Sequence, residues 1–308
     1  MNIANNWKEY EILDMANGEK LERWGEYKLI RPDPQIIWKE KSFPEKWNKV
    51  NARYNRSKTG GGNWDFKTKL PSAWQVKYKN LTFNIKPMGF KHTGLFPEQA
   101  VNWDWMIEKI QKAKRPIKVL NLFAYTGGAT VACLYGGAAV CHVDSSKGMV
   151  TWAKENVMSS GLEKKQVRYI VDDVIKFVQR EIRRGNKYDA IIMDPPSYGR
   201  GTSGEVWQFE NNISDLVKLC TEILTDTPLF FLINSYTTGI SDEVLSNILK
   251  INLKQYKGKI TAGEIGLPMK NSNLVLPCGI YGRWEEARFL KKPAYNPLTN
   301  LQIASILF

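Results

Sequence analysis

The sequence predicts an α/β protein: a doubly wound, mostly parallel sheet closed by an antiparallel hairpin, preceded by a small, mostly β amino-terminal domain over residues 1–88. Three observations carry this. From Ile117 onward, short apolar runs rich in β-branched residues alternate with helical segments, the signature of a parallel sheet covered on both faces. Several of these runs end at acidic residues, at Asp144, Asp172 and Asp194. Before residue 86, aromatic and β-branched runs are instead punctuated by turn residues such as Pro32-Asp33-Pro34.

In the amino-terminal part, residues 26–30, 35–38, 74–78 and 81–85 read as the apolar runs, and Trp74-Gln75-Val76-Lys77-Tyr78 alternates as a half-buried strand should. Trp7, Trp24, Trp38, Trp47, Trp64 and Trp74 crowd this part, with basic residues between them. Aromatic faces beside positive charge suit unpaired bases. Equally, tryptophans fill the core of a small sheet, and the sequence leaves both readings open. Gly60-Gly61-Gly62 reads as a mobile loop.

Residues 91–99 join the two parts. Pro97 fits the first turn of a helix, and Trp103, Met106, Ile107 and Ile110 keep helical spacing over 100–113. In the core, strands are expected at 117–123, 139–143, 167–171, 188–193 and 229–233. Helices are expected at 129–135, 148–159, 173–184, 213–224 and 242–253, before a closing hairpin of 259–265 and 273–284.

Lysine and arginine exceed aspartate and glutamate by 44 − 31 = 13. That balance favours capture of polyanions, which makes nucleic acid the first partner to consider. The apolar runs are too short to cross a bilayer, and the first ten residues lack the pattern of a signal peptide, so a cytoplasmic protein with no membrane association is expected. Cys133, Cys141, Cys220 and Cys278 are scattered and only two histidines are present. That spacing argues against a metal site and against a disulfide framework.

Two stretches carry chemistry. Asp194-Pro195-Pro196-Ser197-Tyr198 follows a buried strand, where open α/β sheets bind ligands. The prolines fix φ and lack N–H groups. They hold the carbonyls of Asp194 and Pro195 free to accept from an amino group that gains positive charge. The second stretch, Asn121-Leu122-Phe123-Ala124-Tyr125-Thr126-Gly127-Gly128, forms the first strand-to-helix turn. It lacks the first glycine of a dinucleotide fingerprint, which disfavours NAD. Asp144 lies 144 − 127 = 17 positions after Gly127, close to the spacing of a ribose-binding carboxylate. Asp173 is placed to take an adenine amino group or to cap a helix. An adenosine without phosphates, as in S-adenosylmethionine, fits these features.

Leu120 to Gly128, Val143-Asp144-Ser145-Ser146 and Asp194 to Tyr198, with Thr93-Gly94-Leu95-Phe96 and Gln99 ahead of them, resemble motifs of the class I S-adenosylmethionine-dependent methyltransferases, whose sheet is Rossmann-like. The resemblance is strongest to the bacterial large-subunit ribosomal RNA cytosine-C5 and guanine-N7 enzymes. It implies cofactor contacts from Thr93, Phe96, Asn121, Phe123, Ala124, Tyr125, Thr126, Gly127, Asp144, Ser145, Ser146, Asp173, Val174 and Asp194. Asp144 would bind ribose, and Asp173 with Val174 would face adenine. Asp194, Pro195, Pro196 and Tyr198 would meet the methyl acceptor, with Tyr198 stacking on its ring.

Two departures stand out. Residues 1–85 do not resemble the RNA-binding module that usually opens such enzymes. Carbon methylation of cytosine also needs a thiolate, and neither Ser197 nor Asn234-Ser235-Tyr236-Thr237 supplies a cysteine. A nitrogen acceptor on RNA, with rRNA foremost, is therefore expected. Residues 199–207, with hinge glycines, Arg200 and Trp207, read as a lid. A protein or small-molecule acceptor, and a non-catalytic RNA-binding protein that retains the pocket, are the alternatives.

Overall fold

The computed structural model describes residues 1–57, 61–89, 91–200, 204 and 206–287. Gly60 of the glycine run and Gly201, Thr202, Ser203 and Glu205 of the expected lid lie outside the described residues.

The chain opens with β1 (Asn2–Ile3), β2 (Tyr10–Ala16), β3 (Glu19–Trp24) and β4 (Tyr27–Pro32). After a short 3-10 turn follow β5 (Ala52–Arg56), β6 (Gly62–Phe66), β7 (Trp74–Tyr78) and β8 (Leu81–Ile85). β2 to β6 form one sheet in sequence order, and β7 pairs with β8. A 3-10 turn at Pro97–Gln99 leads into α1 (Ala100–Ala113).

The alternation then runs β9 (Lys118–Leu122), α2 (Gly128–Gly136), β10 (Ala139–Asp144), α3 (Lys147–Ser159), β11 (Val167–Val171), α4 (Val174–Arg183) and β12 (Ala190–Met193). A small hairpin, β13 (Tyr198–Arg200) with β14 (Val206–Gln208), precedes α5 (Phe209–Thr221), β15 (Phe230–Ser235), α6 (Asp242–Asn252), β16 (Gly258–Pro268) and β17 (Val275–Glu286). The eight-stranded sheet has the order β1-β16-β17-β15-β12-β9-β10-β11. β11, β10, β9, β12 and β15 are mutually parallel, whereas β17 is antiparallel to both β15 and β16. This is the expected doubly wound sheet with its closing hairpin.

Alternation along the strands explains the layering, because neighbouring side chains point to opposite faces. Val119, Ala190 and Ile192 pack into one apolar cluster with Trp103 and Met106 of α1, Val131 of α2 and Val157 of α3. Leu120, Ile191 and Met193 pack into another with Phe177 of α4, Phe209 of α5 and Leu245 of α6. Tyr10, Trp24, Val76 and Phe83 of the amino-terminal strands belong to the first cluster. β1 goes further and pairs with β16, Asn2 opposite Ile265 and Ile3 opposite Gly266.

The tryptophans settle into structural roles. Trp24 is fully buried and Trp47 nearly so. The indole of Trp7 donates to the Pro97 carbonyl, Trp38 to Met15, Trp64 to Met88 and Trp74 to Trp24, while Trp47 donates to the Asp14 carboxylate. Two further differences from the sequence reading concern the region after β12. The helix expected from residue 213 begins at Phe209, because Phe209 is buried in the core and the turn before it is held by the Phe209 N–H bond to the Ser197 carbonyl. The expected lid is in its described part a hairpin, and Trp207 is turned inward rather than offered to a substrate.

Candidate active site

Because the five central strands are parallel, their carboxyl ends share one rim. There the turn after β9, Asp144 at the end of β10, Asp172 and Asp173 after β11, Asp194 after β12 and Asn234 within the last residues of β15 come together. β9 lies between β10 and β12, so the chain reverses direction across the sheet at this point, where such folds open a crevice.

The crevice is an open cleft lined by Leu95, Phe96, Gln99, Trp103, Asn121, Phe123, Ala124, Tyr125, Thr126, Gly128, Ala129, Ile192, Asp194 and Asn234. One wall is a tightly wound loop: Phe123, Tyr125 and Gly127 have φ of 53°, 50° and 82°. Two of these are not glycine, and such strain persists only where surrounding contacts fix it. The fixing contacts are visible. Asp144 accepts from the Tyr125 N–H and the Ser146 N–H, both at 2.8 Å, one on each carboxylate oxygen. Asn156 of α3 donates to the Thr126 carbonyl, and the Thr126 hydroxyl donates to the Gly94 carbonyl. Burial raises the Asp144 carboxyl above its ordinary value, with the two backbone donors opposing that rise.

The opposite wall is aromatic. His92 lies on Phe96, and Phe96 lies between Tyr125 and Tyr236, with ring centres 5.6 and 5.5 Å away. Gly94 lets this segment reach the core: its φ is 93°, and a Cβ there would fall 2.1 Å from the Trp152 ring.

Of the residues named from the sequence, Phe96, Asn121, Phe123, Ala124, Tyr125, Thr126 and Asp194 line the cleft. The others stand around it. Thr93 is wholly buried and its hydroxyl has no partner among the described residues. Gly127 packs against Ala153, Ser145 is exposed, and Ser146 caps α3 by accepting from the Met149 N–H. Asp173 caps α4, accepting from the Lys176 N–H, and Val174 is buried. Pro195 is buried, Pro196 is exposed, and Tyr198 is half exposed with its hydroxyl accepting from Arg200. Gln99, Trp103 and Asn234 line the cleft without having been singled out as contacts. Gln99 donates to the Tyr236 hydroxyl at 2.8 Å, and Asn102 bridges Gln99 and Asn234. Asn234 sits at a strand end, the one signal that pointed to it.

A family profile described as S-adenosylmethionine-dependent methyltransferase matches residues 46–243. The chain belongs to the S-adenosylmethionine-dependent methyltransferases. A crystal structure of an S-adenosylmethionine-dependent methyltransferase from Agrobacterium tumefaciens is 36% identical, covers 91% of each chain and superposes with a TM-score of 0.87. The ribosomal RNA large subunit methyltransferase K/L of Syntrophotalea carbinolica is 28% identical over 61% of this chain and 26% of its own length. The ribosomal RNA large subunit methyltransferase I of Klebsiella pneumoniae is 40% identical over 26% of this chain and 20% of its own. This methyltransferase therefore aligns with about a quarter of the K/L enzyme.

The methyltransferase cleft fits its cofactor. The left-handed loop brings backbone close to the cleft, Asp144 holds that loop from behind, and Asp194 lines the cleft. When bound, the cofactor supplies an electrophilic methyl group. Among the described residues, no cluster of His, Cys, Asp or Glu is arranged to hold a metal, and no helix is long and apolar enough to cross a membrane.

Proposed function

We propose that this methyltransferase modifies a nitrogen of an RNA base, with ribosomal RNA as substrate and the cytoplasm as its location. The observation that carries the reading is the state of the Asp194-Pro195-Pro196 turn. Among the described residues no hydrogen bond reaches the carbonyls of Asp194 or Pro195, whereas those of Pro196 and Ser197 are taken by Trp207 and Phe209. Two rigid acceptors are thus left on the turn that begins at the cleft-lining Asp194, the arrangement that orients an amino group and stabilises its growing positive charge. Positioning the nitrogen roughly 3 to 3.5 Å from the methyl carbon, in line with the departing sulfur, supplies most of the acceleration.

Burial favours nitrogen over carbon as acceptor. Cys133, Cys141 and Cys220 are in the core and their thiols are pushed up by burial, Cys141 to about 11. Cys278 is raised well above the ordinary thiol range for the same reason. The net charge of +13 and the printed names of the K/L and I relatives support an RNA substrate. Cofactor-binding candidates are the cleft residues with Asp144 and Asp173. Tyr198, exposed at the rim, is the candidate to stack on the acceptor base.

The test is incubation with labelled S-adenosylmethionine and total RNA from a strain lacking the gene, followed by nucleoside mass spectrometry. Label in an N-methylated nucleoside is expected. Label in protein, or in 5-methylcytidine, overturns the assignment.

A further inference from the structure

Asn102 of α1 is wholly buried, and both ends of its amide are engaged. Its Oδ1 accepts from Arg283 of β17, from Nε at 3.0 Å and from Nη2 as well. Its Nδ2 donates to Gln99 Oε1 at 2.7 Å and to Asn234 Oδ1 at 2.9 Å. A guanidinium can only donate. Arg283, which stays cationic at neutral pH although burial lowers it to about 10, therefore decides which end of the Asn102 amide faces it. Asn102 in turn decides how Gln99 and Asn234 are turned, because swapping oxygen and nitrogen in any of the three amides would set a donor against a donor. Gln99 and Asn234 both line the cleft. Gln99 uses its Nε2 on the Tyr236 hydroxyl. The Asn234 Nδ2 has no partner among the described residues and is not one of the sealed polar atoms of the interior, so its N–H groups open on the cleft.

Strand order puts this donor on the Asp194 side of the cleft. Across the sheet run β15, β12, β9 and β10. The loop that Asp144 holds follows β9, whereas Asn234 lies on β15, beyond β12. Met193 pairs with Ile233, so Asp194 and Asn234 are the next residues along two neighbouring parallel strands. The unengaged carbonyls of Asp194 and Pro195 accept, and Asn234 on the next strand donates. That pair is complementary to a base edge on which an amino group adjoins a ring nitrogen with a free lone pair. The amino group of adenine, cytosine or guanine has such a neighbour. The N7 and O6 edge of guanine carries acceptors only and would turn lone pairs towards the carbonyls.

We infer that Asn234 selects the methyl acceptor, admitting an exocyclic amino group that adjoins an unprotonated ring nitrogen and refusing guanine N7. Asn102 and Arg283 are positioning residues in this scheme, since they act through Asn234. The inference rests on the reading that the acceptor is a nitrogen of an RNA base.

The experiment uses the full chain, labelled S-adenosylmethionine and total RNA from a strain lacking the gene. The native enzyme should place label in N6-methyladenosine, N4-methylcytidine or N2-methylguanosine. Label in 7-methylguanosine, or in a base methylated at any other ring nitrogen, overturns the inference while the nitrogen reading stands. Label in 5-methylcytidine or in protein removes that reading, and this inference with it. Asn102→Asp keeps an acceptor for Arg283 but no longer donates, which turns Asn234 round so that its Oδ1 faces the cleft. The kcat/KM for RNA should then fall about tenfold or more, while Tm and the affinity for S-adenosylmethionine, read by titration calorimetry, stay near native. Asn234→Asp should do the same. Unchanged kcat/KM in both variants, or a loss of cofactor affinity as large as the loss of turnover, overturns the inference. The nucleoside identity, read on the native chain, decides even if a variant does not fold.

Discussion

The indole N–H of Trp207 donates to the carbonyl oxygen of Pro196 across 2.7 Å, while the Trp207 ring lies 4.9 Å from that of Phe123. One buried side chain thus braces the Asp194-Pro195-Pro196 turn against the loop at Phe123. Trp207→Ala should cost roughly 3 kcal/mol of stability and lower kcat, read by denaturant titration and single-turnover kinetics. Trp207→Phe should keep most of the stability and still lower kcat, because the Pro196 carbonyl is released. Unchanged kcat in both would mean the turn is rigid without this brace.

Asp144 fixes the loop after β9 and the turn before α3 through two backbone bonds. Asp144→Ala should lose about 2 kcal/mol of loop order, which corresponds to about 30-fold in cofactor Kd. Turnover at saturating cofactor should be largely retained. A variant that binds normally but fails in turnover would reverse the roles given to Asp144 and Asp194.

Asp194 has the opposite signature. Its folded-state value is raised to about 7 from 3.8, so the folded protein holds a proton that the unfolded chain releases. Stability from this group is therefore full below about pH 4 and declines as pH rises to about 7. Asp194→Asn should stabilise the protein at pH 8 by up to about 4 kcal/mol, leave it unchanged at pH 4, and abolish most methyl transfer. Thermal melts across that range decide it.

Gly94→Ala should be among the more damaging small changes in the chain. The backbone is left-handed there and the Trp152 ring occupies the space a Cβ needs. A loss of roughly 3 kcal/mol or more is expected, with weaker cofactor binding because the Gly94 carbonyl holds Thr126. A Tm equal to that of the native chain would show that Trp152 can yield.

Cys278→Ser should leave turnover on RNA intact, since no thiolate attack is needed for a nitrogen acceptor. Loss of all methyl transfer with normal cofactor binding would point back to a carbon acceptor.

The parallel strands were legible because burial on both faces turns them into short apolar runs, as in Ile191-Ile192-Met193. The β13–β14 hairpin was not, since Tyr198-Gly199-Arg200 carries no hydrophobic period and its pairing depends on Trp207 finding Phe123. In the site, Asp144 and Asp194 could be named from strand ends alone. The bond from Gln99 to the Tyr236 hydroxyl could not, because it joins the 3-10 turn to the residue after β15 across 137 positions of chain. Asp173 shows the limit in another way: a strand-end acid fits a ligand contact or a helix cap equally well, and its bond from the Lys176 N–H shows that it does cap α4.

The pairing of β1 with β16 bears on how the protein is made. Asn2 and Ile3 leave the ribosome well before their partners Ile265 and Gly266. β1 and β16 can therefore pair only after all the chain between them has been made, and contacts this distant in sequence form slowly. Until then the nascent chain carries an unpaired strand end, a natural place for a chaperone to hold it.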